Sequence, residues 1–326
     1  MKKRRVVVTD YTFPSLGQEQ AAAERSDALF ETFQCRSEEE VIQAVSGATV
    51  ALVQFAPLTR KSLDQMAPNA AVIRYGIGFD NIDLAAARKR KIPVGYVPDY
   101  CIDEVADHTA AMILASLRKL LQLDASLRSG QWSAVAVAIP LKPFKNTVVG
   151  FFGFGRIGRA VLARLRPFGF RFMVADPAME ILEAQQLGIE LVEQKLLLAQ
   201  ADVLSLHAPA TPETERFLNS QSLRSMKPHA ILVNTARGKL IDEQALAEGL
   251  CKGVIGGAAI DVFETEPLPE QSTLRSAPNI ILTPHAAWYS DNAIIQLQSL
   301  VAEDIERVLS GRPPRCPVPD ANAQER

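Results

Sequence analysis

The sequence has no charge of either sign to spare. Thirty-five Lys and Arg stand against thirty-seven Asp and Glu, a formal net charge of −2. That balance leaves no basic footprint for a phosphate backbone and argues against nucleic acid as a partner. Cysteine is scarce as well. Cys35, Cys101, Cys251 and Cys316 stand singly, at none of the spacings of a redox pair or a zinc site, as expected of reduced thiols in the cytoplasm. The four histidines, His108, His207, His229 and His285, are equally dispersed, so no metal is expected. Long apolar runs are missing too, and none approaches the ~18 residues of a membrane span. The basic start Met1-Lys2-Lys3-Arg4-Arg5 leads only into Val6-Val7-Val8, too short for the apolar part of a signal peptide. There is no repeat of solenoid period and no low-complexity tract.

What is present is the composition of a packed soluble protein, 48% hydrophobic and 22% charged, in a chain of 326 residues, a length that favours two domains. Short β-branched runs alternate with helical stretches, the pattern of α/β folds with parallel sheets. Strands are expected at 5–9, 50–54, 72–75 and 93–97, then at 147–152, 170–175, 203–206, 230–233, 257–260 and 280–283. Ser37 with Glu40 reads as a capping box and Asp83 as an N-cap. From Asp103 to about Ser129 there is neither Pro nor Gly, and Val105, Met112, Ala115, Leu117, Leu120 and Leu121 recur at helical spacing. One long helix ended by Gly130 is expected there, long enough to cross between domains. Asn292 to Leu309 reads as an amphipathic helix returning to the first domain. The tail, from Gly311-Arg312-Pro313-Pro314 to Asn322-Ala323-Gln324-Glu325-Arg326, is expected to fray.

Gly153-Phe154-Gly155-Arg156-Ile157-Gly158 matches G-x-G-x-x-G, directly after an expected strand and opening a helix. A second strand ends at Asp176, eighteen positions past Gly158. That βαβ context makes the match specific for a dinucleotide. Gly153 permits the tight turn, Gly155 lets the pyrophosphate approach the backbone, and Gly158 lets helix and strand pack closely. The helix N-terminus favours the anion, and Arg156 adds a charge. Asp176 can accept hydrogen bonds from the ribose hydroxyls and would repel a 2′-phosphate. Pro177-Ala178-Met179 brings no arginine to neutralise one, so NAD is preferred over NADP.

In an open α/β sheet ligands bind beyond the carboxyl ends of the strands. Past the later strands stand His207–Thr214, Asn234-Thr235-Ala236-Arg237-Gly238, Asp261 with Glu264 and Glu266, and Pro284-His285-Ala286-Ala287-Trp288. One arginine, one acid and one histidine beside a nicotinamide suggest a reaction. The guanidinium clamps a substrate carboxylate through two parallel hydrogen bonds. The imidazole passes a proton to or from an alcohol oxygen, and a carboxylate behind it fixes the tautomer and favours the imidazolium. Together these perform hydride transfer between NAD(H) and a 2-hydroxy or 2-keto acid.

With Gly76-Ile77-Gly78-Phe79-Asp80-Asn81-Ile82-Asp83, the glycine fingerprint, Asn234–Gly238, Ala259–Pro267 and Thr283-Pro284-His285, the chain resembles the D-isomer-specific 2-hydroxyacid dehydrogenases from about residue 50 to 310. Arg74–Asp83 and His285–Ser290 look most like the branch of C-terminal-binding-protein-like dehydrogenases. The resemblance implies two Rossmann/flavodoxin-like parallel-sheet domains with an interdomain active-site cleft. Residues 1–99 with 288–326 would form the substrate domain and 100–287 the dinucleotide-binding domain. It implies Arg237 as catalytic arginine, His285 as acid–base, and Glu266, which precedes Pro267, as the acid, leaving Glu264 a solvated bystander. The backbone of Ile77 and Gly78 would meet the substrate carboxylate, with Arg74 and Trp288 nearby. Gly153, Gly155, Arg156, Ile157, Gly158, Asp176, His207, Ala208, Pro209, Thr214, Thr235, Ala236, Arg237, Asp261 and His285 would line NAD.

The sequence also departs from the family pattern. His229 stands where many members have Gly, a turn position of no expected chemical meaning. Ile77 is apolar where relatives often carry a small or hydroxyl residue. His108, inside the long helix, reads as a structural residue or as one that supports the site from behind, rather than as a catalyst. His207 either touches the cofactor or caps its loop, and Trp132 reads as a packing or dimer-contact aromatic. The substrate is expected to be a small 2-keto or 2-hydroxy acid, and the assembly a homodimer. Two other readings remain open at this point: an NAD(H)-sensing corepressor-like interaction module, and a phosphite-type dehydrogenase.

Overall fold

The computed structural model describes residues 3–319. Met1 and Lys2, and the closing stretch Asn322–Arg326, lie outside the described residues. The chain forms two compact units, 1–100 with 290–326, and 101–289.

The first unit is built on five parallel strands: β1 (Arg4–Val8), β2 (Ala28–Thr32), β3 (Val50–Val53), β4 (Ala71–Arg74) and β5 (Val94–Gly95). Their order is β2-β1-β3-β4-β5, a flavodoxin-like arrangement. β3 is buried on both faces, as its unbroken apolar run dictates. β2 has no such signature. It is an edge strand, Ala-Leu-Phe-Glu-Thr, and only Ala28 is buried, so no alternation marks it in the sequence. Asp83 caps helix Leu84–Lys89 by accepting from the Ala86 amide at 2.9 Å. Ser37 caps helix Glu38–Val45, while the Glu40 carboxylate reaches back to the Arg36 amide at 2.6 Å. Helix Asp291–Leu309 packs on helix Gly17–Arg25, where Gln298 Nε2 donates to the Ser15 carbonyl at 2.6 Å.

The tail corrects an expectation. Rather than fraying after Gly311, its described part runs beside β5 as far as Val318. Tyr96 N donates to the Cys316 carbonyl at 3.0 Å and Val318 N to the Val94 carbonyl at 2.8 Å. Gly95 has no Cβ because one would lie 2.5 Å from Pro314 Cβ. The tail thus covers an edge that would otherwise present unpaired backbone.

The second unit is a seven-stranded parallel sheet: β6 (Val148–Phe152), β7 (Arg171–Ala175), β8 (Glu190–Leu191), β9 (Val203–Leu206), β10 (Ile231–Asn234), β11 (Gly257–Ile260) and β12 (Ile280–Leu282). The order is β12-β11-β10-β9-β6-β7-β8, so the chain changes direction across the sheet between β6 and β9. β6, β9, β10 and β11 are buried along their whole length. Each fully buried Leu, Ile or Val there contributes about 1.5–3 kcal/mol. The expected long helix is instead two, Ile102–Leu117 and Leu120–Arg128, broken where Lys119 adopts φ +51°. The first packs into the core through Ala106, Ala110, Met112 and Ile113. The second buries none of its side chains within the chain, so no core holds the two in line. Apolar spacing runs through the break, and neither Gly nor Pro announces it.

Among the described residues no helix is long and apolar enough to cross a membrane. Among them, too, no group of three His, Cys, Asp or Glu side chains is placed to hold a metal ion.

Candidate active site

The change of direction between β6 and β9 is where an open α/β sheet takes its ligand, beyond the carboxyl ends of the strands, and the glycine fingerprint directly follows β6. Gly153 leaves β6 at φ +82°, and a Cβ on it would lie 2.7 Å from the Ala208 amide nitrogen. The turn is therefore pressed on the backbone that follows β9, an approach open only to glycine. Gly155 is the opposite case. Nothing lies within 4 Å of its Cβ direction, and it opens helix Arg156–Leu165 without any side-chain cap. Bare backbone facing open space before uncapped amides is a fit for a pyrophosphate. A Cβ on Gly158 would lie 3.3 Å from Phe154 Cδ2, so the residue sits close against that ring.

Asp176 follows β7. Its Oδ2 accepts from the Phe154 amide at 2.6 Å and its Oδ1 from the Ala178 amide at 2.8 Å. The carboxylate is fixed beside the glycine turn, with lone pairs left for ribose hydroxyls. His207 serves its own loop: Nε2 lies 2.9 Å from Ser205 Oγ and the ring 5.6 Å from that of Phe151. Burial pushes this imidazole down to about 4, so it is neutral at physiological pH. Its backbone and that of Ala208 form the floor under Gly153. Thr214 Oγ1 accepts from the Thr211 amide at 2.8 Å and donates to the Pro209 carbonyl at 2.6 Å, folding the 209–214 loop on itself. Thr235 is buried, its hydroxyl 2.7 Å from that of Thr109.

Beyond β10, β11 and β12 the structure brings the arginine, the acid and the histidine to the same edge of this sheet. Asn234, buried at the end of β10, folds the Arg237 loop: its Oδ1 accepts from Ala236 N at 3.0 Å and its Nδ2 donates to the Arg237 carbonyl at 2.8 Å. Arg237 Nη1 donates to the Ala236 carbonyl at 2.6 Å. Gly238 then lies flat on the next loop, since a Cβ would fall 1.9 Å from the Phe263 carbonyl carbon. That contact joins the arginine loop to the one carrying Glu266. Glu266 Oε1 accepts from Phe263 N at 3.0 Å, and Glu243 Oε1 accepts from Glu264 N at 2.6 Å.

Glu266 Oε2 meets His285 Nδ1 at 2.7 Å. Burial works to raise the Glu266 carboxyl. The His285 hydrogen bond and charge, the Phe263 amide and the Arg237 charge outweigh it and hold the group below the usual carboxylate range. His285 has the left-handed φ of +50°, with its amide on the Asp261 carbonyl at 2.8 Å. Asp261 is fully buried, and its carboxylate takes the Ala286 and Ala287 amides at 2.8 and 3.0 Å. Glu264 is exposed and pairs with Arg216 Nε at 3.3 Å, a partner no local spacing would reveal. Trp288, half-buried, stands edge-on to Tyr289 at 5.9 Å.

Arg74, Ile77 and Gly78 belong to the first unit, Arg74 as the last residue of β4 and the other two in the turn after it. Arg74 Nη1 donates to the Tyr75 carbonyl at 2.6 Å. Gly76, at φ +127°, makes room for this guanidinium: a Cβ would lie 1.7 Å from Nη1. Ile77 and Gly78 are half-buried.

Asn234, Gly238 and Glu243 were given no role in the reading of the sequence, though they hold the loops of Arg237 and Glu266. The first two carry a signal, a polar residue ending a buried strand and a glycine after a functional arginine. Glu243 carries none.

Three comparisons bear on this geometry. A family model described as D-isomer specific 2-hydroxyacid dehydrogenase, NAD binding domain, matches residues 110–287. The chain is 36% identical over 244 residues to a glyoxylate reductase of Korarchaeum cryptofilum, covering 74% of each chain. It is 35% identical over 287 residues to a glyoxylate reductase of Thermofilum pendens, covering 85% of this chain and 83% of the relative. Among solved structures, a D-lactate dehydrogenase from Aquifex aeolicus complexed with NAD and lactic acid superposes with a TM-score of 0.85 at 26% identity. That match covers 94% of this chain and 96% of the other.

Proposed function

The chain belongs to the D-isomer-specific 2-hydroxyacid dehydrogenases, and from that premise we propose that it reduces a small 2-keto acid with NADH, with Arg237, Glu266 and His285 as its catalytic residues. The observation that carries the reading is the 2.7 Å bond between His285 Nδ1 and Glu266 Oε2, beside a guanidinium and on the same sheet edge as the dinucleotide cradle. NADH, when bound, supplies the hydride. His285 supplies the proton from Nε2, because Nδ1 is committed to Glu266. Glu266 stabilises the imidazolium and fixes which nitrogen faces the substrate. Arg237 takes the substrate carboxylate and polarises the neighbouring carbonyl. Ile77 and Gly78 are proposed, on the family resemblance, to offer backbone to that carboxylate, with Arg74 and Trp288 near the substrate. The test is NADH oxidation followed by absorbance over a panel of 2-keto acids, glyoxylate and hydroxypyruvate included. Turnover is expected, and tight NADH binding with no turnover on any of them overturns the reading.

NAD preference follows from the Asp176 carboxylate. Asp176→Ala removes the acceptor for the ribose hydroxyls and the anchor of the Phe154 amide. Hydrogen bonds to a charged group stabilise by about 1.5–3 kcal/mol, so kcat/KM with NADH should fall roughly 10- to 100-fold. Use of NADPH should fall less, narrowing the preference. Equal use of both nucleotides by the unmodified protein contradicts the assignment.

We place the protein in the cytoplasm, on its four free cysteines. We assign it a homodimer, built through residues 120–141. Trp132 is 92% exposed in the single chain, and Leu120, Leu121, Leu127, Val135 and Ile139 are exposed beside it in sequence. A concentration of apolar surface on one segment marks an interface. Light scattering at micromolar concentration should give twice the chain mass, and Trp132→Asp should shift the protein toward monomer. A strictly monomeric unmodified protein contradicts the assignment.

A further inference from the structure

His285 is held at two places. Its ring meets Glu266, and its backbone meets Asp261. The second hold leads to a histidine that the proposed reaction leaves without a role.

Asp261 accepts from the Thr283 hydroxyl at 2.5 Å and from the Ala286 amide at 2.8 Å on Oδ1, and from the Ala287 amide at 3.0 Å on Oδ2. Its own carbonyl takes the His285 amide. The residues on either side of His285 are thus tied to one buried carboxylate. The left-handed backbone of His285, uncommon outside glycine, needs such support. Proton counting extends the chain. The Thr283 hydroxyl has a single proton, and the Asp261 carboxylate oxygen can only accept, so the proton goes to Asp261. His108 Nε2 lies 3.2 Å from the same hydroxyl oxygen, which is left to act as acceptor. His108 therefore carries a proton on Nε2 and donates it. That nitrogen is also 3.9 Å from Asp261 Oδ1. His108 sits in helix Ile102–Leu117, which packs into the core of the second unit, so the donor comes from a rigid element.

We propose that His108 is a positioning residue for the proton donor: its Nε2–H holds the Thr283 hydroxyl toward Asp261, and Asp261 fixes the turn that sets the His285 ring against Glu266. The inference rests on His285 being that donor. Among the described residues, the titratable and charged groups gathered round the His285–Glu266 pair include Arg237, Glu243, Glu264, Asp261 and His108.

The test compares His108→Leu, which removes the donor, with His108→Gln, which restores an N–H. The Leu variant should lose about tenfold in kcat, the scale of one hydrogen bond. KM for the keto acid and NADH affinity by fluorescence should stay as they were. Its alkaline limb should move to lower pH, and so should the titration of the His285 ring followed by NMR in ligand-free protein. In a Glu266→Gln background His108→Leu should add no further shift, because the contact it protects is already gone. The Gln variant should recover both rate and titration. Should His108→Leu not fold, Thr283→Val against Thr283→Ser carries the same comparison. A reduced kcat with an unshifted limb and an unshifted His285 titration overturns the inference and gives His108 a purely structural role. If His285→Ala leaves kcat intact, it is the proton-donor assignment that fails, whatever His108 does.

Discussion

His285→Ala lowers kcat for keto-acid reduction by about 10²–10⁴-fold, the usual worth of a positioned general acid, with NADH affinity retained. The magnitude follows from what is lost. Without the imidazole the developing alkoxide must take its proton from water, while the cradle at Gly153, Gly155 and Asp176 is untouched and still holds the cofactor. Glu266→Gln tests the same pair from the other side. Reduction needs protonated His285, so activity declines as pH rises through loss of that proton. Removing the Glu266 charge weakens the imidazolium, and the decline should begin at lower pH. Because Glu266 is held below the usual carboxylate range, its own protonation does not intrude near neutrality. Glu264→Gln removes only the pair with Arg216 and should leave the pH profile in place. A profile that shifts for Glu264→Gln and not for Glu266→Gln would show that the other carboxylate supports the histidine.

The second sheet was legible because its strands are buried on both faces. Gly257–Ile260 is a continuous apolar run and Val203–Leu206 is broken only by Ser205, and both are observed at those bounds. The dinucleotide cradle was legible because glycine has few other uses at such spacing, and Gly153 and Gly155 play opposite steric parts that only a turn of this kind requires. What escaped was set by contacts distant in sequence or by an absence of contact. β2 buries only Ala28 and so has no hydrophobic period. The break at Lys119 has no residue of its own to mark it. Glu264 and Glu243 have partners twenty-one or more residues away, Arg216 for one and the Glu264 amide for the other. His108 was read as structural or supporting, but a histidine inside an apolar helix names no partner. Its significance depends on Thr283, which follows the last strand of the same sheet.

Arg237→Ala is expected to lower kcat/KM for the keto acid by roughly 10²–10⁴-fold, through both constants. Two charge-assisted hydrogen bonds to the substrate carboxylate, at about 1.5–3 kcal/mol each, set that scale. The rise in KM reports lost binding. The fall in kcat reports lost orientation at the reacting carbon, where a displacement of about 1 Å costs on the order of 10²-fold. The arginine also lies close enough to Glu266 to lower its carboxyl. A purely electrostatic role for it would therefore be served by any cation in its place. Arg237→Lys separates the two. Lysine keeps the charge beside Glu266 but cannot present the planar fork that matches a carboxylate. If Arg237 clamps the substrate, the Lys variant should recover only a small part of the loss, with KM still raised and the alkaline limb of the pH profile unmoved. Near-full activity in the Lys variant would show that charge beside Glu266, and not the geometry of the fork, is what the reaction takes from this position.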